Sequence, residues 1–146
     1  MSGLAALLAG HSRPDLYQWH SAAHVPDIEH CVEHAGWKLV YLDGWTIEDE
    51  QTFLKATAAA CEVPDSAAES FEALGQSLGS LEAPGREGIV LLWDGWSPLA
   101  RHDDESFKAA LGVLGRRVRS DGCKFAVLLR GDGPALDLPE LPAKHT

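Results

Sequence analysis

Ile89-Val90-Leu91-Leu92-Trp93 is a run of five apolar residues with nothing polar interleaved. A strand with one wet face alternates apolar and polar side chains. An unbroken run therefore reads as a strand covered on both faces, the habit of parallel sheets. Two further runs flank it in sequence: Lys38-Leu39-Val40-Tyr41-Leu42, ended by Asp43-Gly44, and Phe125-Ala126-Val127-Leu128-Leu129. The chain between them is helical in pattern. One helix carries Ile47, Leu54, Ala58 and Cys61 on one side, with Thr46 and Asp49 resembling a capping box, and ends before Pro64. A second, about 66 to 81, sets Phe71, Leu74, Leu78 and Leu81 on one stripe. A third starts at Asp103-Asp104-Glu105 and closes with Arg116, Arg117 and Arg119, charges that suit the macrodipole at both ends. Its buried stripe is Phe107, Ala110, Leu111, Leu114 and Val118. Connections this long, each containing helix, imply parallel strands and right-handed crossovers in a small α/β domain.

Outside this core the pattern thins. Leu16-Tyr17-Gln18-Trp19 alternates like a short strand. Pro26-Asp27 opens a helix with Ile28, Cys31, Val32 and Ala35 on its apolar face, and Gly36 stops it. From Gly131 the residues are small, acidic or ring-constrained, as in a loose tail. Residues 1–36 thus read as an N-terminal extension, 37–130 as the domain and 131–146 as a flexible C-terminal tail.

The formal charge of −10 speaks against nucleic acid and anionic membrane and favours a basic protein partner. The three cysteines, Cys31, Cys61 and Cys123, form no CxxC pair and read as reduced core filler. The apolar run Leu4 to Leu8 is too short for a signal-peptide core, and no stretch approaches the roughly 18 residues of a membrane span. The expectation is a cytoplasmic protein.

The second helix has another face. Asp65, Glu69, Glu72 and Gln76 fall almost opposite its apolar stripe at about 100° per residue, with no basic residue among them. Other chemistry is thinly supported. His20 and His24, and His30 and His34, are spaced as zinc ligands on a helix would be, but the glutamate of HExxH is missing. The simpler reading is a solvated histidine-rich surface, with no metal and no cofactor. There is no GxSxG and no P-loop. Asp43, Asp94 and Asp132 follow the three strands, where α/β proteins place functional groups and where turns also favour acids. Trp93 closes a core strand and is expected to be packed. Trp45 and Trp96 follow DG turns and are candidates for partial exposure.

In order and spacing these motifs resemble the barstar family, intracellular inhibitors of secreted bacterial ribonucleases, from about Trp37 to Leu129. The resemblance rests on Leu42-Asp43-Gly44, Phe53-Leu54, the Val63-Pro64-Asp65 hinge, Phe71-Glu72-Ala73-Leu74 with Leu78, Gly88 to Trp93, Phe107 with Leu111 and Leu114, and Phe125 to Leu129. It implies a three-stranded parallel sheet packed with helices, and a non-enzymatic inhibitor that plugs a basic active site with acids from the hinge and the following helix. The partner-binding residues would be Asp65, Ser66, Glu69, Glu72, Gly75 and Gln76. Departures are specific. Ser66, Ala67 and Ala68 replace aromatics and glycine after the hinge proline. Gly75 stands for a tryptophan, Gln76 for the dominant aspartate, and Arg117 reverses a glutamate's charge. Glu72 keeps the first carboxylate, one methylene longer. The alternatives are an interaction or regulatory module that has kept the scaffold without inhibition, and a metal-dependent enzyme using the histidine pairs.

Overall fold

The structure, a computed structural model, describes residues 3–142. All seven residues of the strand β3, Gly88–Asp94, are buried, as its unbroken apolar run requires. It lies between β2 (Lys38–Asp43) and β4 (Lys124–Arg130), parallel to both. Its side chains divide by parity. Ile89, Leu91 and Trp93 enter one core with Phe125, Val127 and Leu129; Val90 and Leu92 enter another with Ala126 and Leu128.

The first core is roofed by α3 (Glu50–Ala60), a 3₁₀ helix (Asp65–Glu69), α4 (Phe71–Gly79), α5 (Ser97–His102) and α6 (Asp104–Val118). Trp93 is its centre, with Phe53 of α3 at 5.1 Å and Phe107 of α6 at 5.7 Å between ring centroids. The second core is roofed by α1 (Gly3–Leu8) and α2 (Val25–His34), through Leu4, Leu7, Ile28 and Val32. The result is a three-layer α/β/α arrangement.

The expected three-stranded sheet has five strands, in the order β2-β3-β4-β1-β5. The two additions come from the segments outside the apparent core. Strand β1, Leu16–Trp19, runs parallel to β4, with Leu16 opposite Val127 and Trp19 opposite Arg130. Strand β5, Glu140–Leu141, pairs with the outer side of β1. The residues read as an extension thus supply one strand and the whole second helical layer, and the segment read as a loose tail returns to the sheet. Met1, Ser2 and the tail's last four positions lie outside the described residues.

Other local expectations shift. Asp49, not Thr46, caps α3, its carboxylate accepting the Thr52 amide at 2.8 Å. Cys61 is buried, and burial pushes its thiol pKa up to about 11. Cys31 is exposed, not core filler. Trp93 is packed as its strand position requires, but Trp96 is buried and donates to the Gly131 carbonyl at 3.1 Å, leaving only Trp45 of the expected pair open.

Candidate functional site

The hinge forms where α3 runs out. Glu62 adopts φ 57°, the left-handed backbone that commonly ends a helix. Pro64 then holds φ −58° and ψ 152°, an extended step that starts the chain on a new axis. In the 3₁₀ helix that follows, Ala67 turns inward while Asp65, Ser66 and Glu69 stay exposed. Ser70 is extended again and its hydroxyl accepts the Ala73 amide at 3.0 Å, capping α4. The single helix expected over 66–81 is therefore two, broken at Ser70, and the four-residue ridge read along it is broken with it.

The break sorts the candidate residues into two depressions. Asp65 and Glu69 share one with Asp49 and Glu50 at the start of α3 and Asp103 at the start of α6. Five carboxylates meet there, and Lys55 is the one cation among the lining residues. The Thr52 amide and hydroxyl hold the Asp49 carboxyl below its usual range, so it stays ionised on mild acidification. Glu72, Gly75 and Gln76 line the other, a groove between α4 and α6 whose far wall is Arg116, Arg117 and Ser120. Ser66 lines neither. Among the described residues, Asp65, Glu69 and Glu72 form no ion pair with any cation of the chain. A side chain added at Gly75 would meet only Val113 Cγ1, at 3.9 Å, so the notch beside Glu72 is open.

Neither depression is legible as a whole in the sequence. Asp49, Glu50 and Asp103 carried a signal, but it was the signal of helix starts. In a parallel sheet the helices that follow strands begin at the carboxyl edge, so acids placed for the macrodipole also gather there.

That edge holds a second polar arrangement. Asp43, Asp94 and Arg130 end their strands side by side. Arg130 donates from Nε and Nη2 to the two oxygens of Asp94, each at 3.0 Å, and from Nη1 to the carbonyls of Ser21 and Ala23. Tyr41 adds its hydroxyl to Asp94 at 3.1 Å, and burial, with this bond, pushes the phenol up to about 12. Every nitrogen of Arg130 is engaged, so the cluster ties the loop after β1 to the sheet and leaves no cation open to a ligand. The histidines stay apart: His24 is extended, outside α2, while His30 and His34 stack at 5.9 Å on the exposed face of α2. No group of three metal-ligating side chains occurs among the described residues.

The profile of the family described as Barstar (barnase inhibitor) matches residues 37–130. The chain belongs to the barstar family. Its barstar segment begins one residue before β2 and ends with the last residue of β4, leaving α1, β1, α2 and β5 outside the match. Comparison with curated proteins finds no match. Among solved structures, the ORC2 protein of Aeropyrum pernix, determined as ADPNP–ADP complexes, is similar at TM-score 0.59 and 14% identity. The similarity covers 89% of this chain but only 38% of that one, and it is a likeness of fold. No helix among the described residues is long and apolar enough to cross a membrane.

Within the barstar segment, Arg117 is not the exposed charge reversal that its position suggested. It is 2% exposed. It donates to the Leu81 carbonyl at 3.0 Å, to Ser120 Oγ at 2.8 Å and to Cys123 Sγ at 3.2 Å, with its guanidinium 4.9 Å from the centre of the Phe125 ring. It fastens α6 to the segment after α4. The accessible cation of the groove is its neighbour Arg116, which is exposed.

Proposed function

We propose that this barstar-family protein is a non-enzymatic, cytoplasmic inhibitor that binds a basic protein, a ribonuclease or related toxin domain, through the hinge and α4. The observation that supports it is the exposure of Asp65, Glu69 and Glu72, none of them in an ion pair among the described residues, with three further carboxylates, Asp49, Glu50 and Asp103, beside Asp65 and Glu69. Charges left unmatched at a surface steer and hold a partner of opposite sign. Ser66, Gly75 and Gln76 complete the surface, Gly75 as a notch for a partner side chain.

Isothermal titration against small guanyl-specific ribonucleases, with the nuclease activity followed in parallel, tests the proposal. The expected result is one-to-one binding that weakens as salt rises and falls at least about tenfold in Glu69→Lys and Glu72→Lys. Binding that is indifferent to both reversals removes this surface; no heat with any such ribonuclease removes the function.

A second reading, an interaction module that has kept the scaffold without inhibiting a nuclease, is favoured by one observation. The α4–α6 groove sets the exposed Arg116 opposite Glu72 and Gln76, a mixed rather than purely acidic wall. Binding without loss of nuclease activity would select it.

A further inference from the structure

Five tryptophans occur in the chain. Trp19, Trp37, Trp93 and Trp96 are at most 3% exposed, whereas Trp45 is 53% exposed. It occupies the loop after β2, at the carboxyl edge of the sheet. Its indole is held flat. A Cβ on Gly95 would collide with Cδ2, Cε2 and Cγ, and one on Gly131 would stand 3.4 Å from Cη2. One face of the indole therefore lies on bare backbone at two glycines with φ 87° and 129°, and the other face is the exposed one.

The charges around it decide what such a face suits. Asp132 lines the shallow cleft that Trp45 shares with His20 and Arg130. Asp43 accepts the Trp45 amide at 3.2 Å. Both aspartates are exposed, and neither has an ion pair among the described residues. Arg130 is matched by Asp94. The unmatched charge beside the indole is thus negative.

We propose that Trp45 is a stacking platform for an arginine side chain of a protein partner, with Asp43 and Asp132 pairing its guanidinium. A planar cation gains from the ring's negative face and from the carboxylates together, and arginine stacks in this way better than lysine. A nucleobase also stacks on indole, but its phosphates would meet a protein of charge −10. The site rests on the proposed function only in taking a basic protein as partner; it requires neither a ribonuclease nor the α4 groove.

Nona-arginine is the probe, followed by the Trp45 indole N–H in NMR and by acrylamide quenching, which reports the single exposed tryptophan. Wild type is expected to show a saturable shift of that resonance and reduced quenching. Nona-lysine should bind several-fold more weakly and nona-glutamate should leave the signal unmoved. Asp132→Lys, a change at an exposed side chain outside the core, should weaken nona-arginine by about tenfold, and Trp45→Ala, titrated with the same peptide by calorimetry, should lower affinity similarly while keeping its circular dichroism. Glu72→Lys should leave the Trp45 response intact. A Trp45 signal unmoved by saturating peptide overturns the inference, as does Asp132→Lys binding as well as wild type. If Trp45 responds but no ribonuclease binds, only the ribonuclease reading falls.

Discussion

Arg117 shows how much a single side chain can carry when its surroundings close over it. Its guanidinium supplies three hydrogen bonds and a ring contact in a space that excludes water. Arg117→Ala would leave the Leu81 carbonyl without this donor and open a void under Phe125. The expected cost is about 2–4 kcal/mol, read as a lower urea midpoint. Arg117→Glu should cost more, because a carboxylate there faces a carbonyl it cannot accept from. Glu62 is the opposite case, a residue in backbone that glycine prefers. With φ 57° and only an exposed pair to Lys38 at 3.8 Å, Glu62→Gly is expected to raise stability by about 1 kcal/mol, seen as a higher melting temperature. Neither role is legible in the sequence. Arg117 sits in a last turn where cations are ordinary, and only the fold brings Leu81 over it. Glu62 has no signature, since glutamate is a poor guide to left-handed backbone.

At the scale of elements, the periodicity of apolar residues was a sound guide to where helices lie and a poor one to where they break. Leu74 and Leu78 are fully buried, as the stripe requires. Yet Ser70, a polar residue in a plausible helical pattern, ends one helix and caps the next. The acidic ridge was legible as a set of exposed acceptors but not as two separate depressions, because an angular projection assumes one uninterrupted axis. The cap of α3 gives a test of its own. The Asp49 carboxyl titrates lower in the folded chain than in the unfolded one, because Thr52 hydrogen-bonds the ionised form. Its contribution is complete above the ordinary carboxylate range and fades as the pH falls through the lowered value. Asp49→Ala should therefore lower the urea midpoint at neutral pH, and the gap from wild type should close on acidification. A gap that is the same at both ends of that range would mean that the cap acts without its charge.

At the scale of the molecule, the barstar segment supplies only three of the five strands. Val90, Leu92, Ala126 and Leu128 have no accessible surface because α1 and α2 lie over them. Deleting residues 1–36 is expected to bare this apolar face, giving a protein that binds a hydrophobic dye and elutes as aggregates in size exclusion; a dispersed, cooperatively melting truncation would refute that. The sequence made the need for a second cover visible, since the run from Ile89 to Trp93 in β3 has no polar residue on either face. It did not say which segment provides the cover, because pairing between distant strands leaves no local pattern. β1 pairs only with β4 and β5, whose residues run from Lys124 to Leu141. During synthesis the chain must therefore be extended past Lys124 before β1 finds either neighbour. Until then Leu16 to Trp19 wait unpaired, exposed to chaperones and to other nascent copies. Synthesis that stalls before Lys124 would leave β1 without either of its strand neighbours.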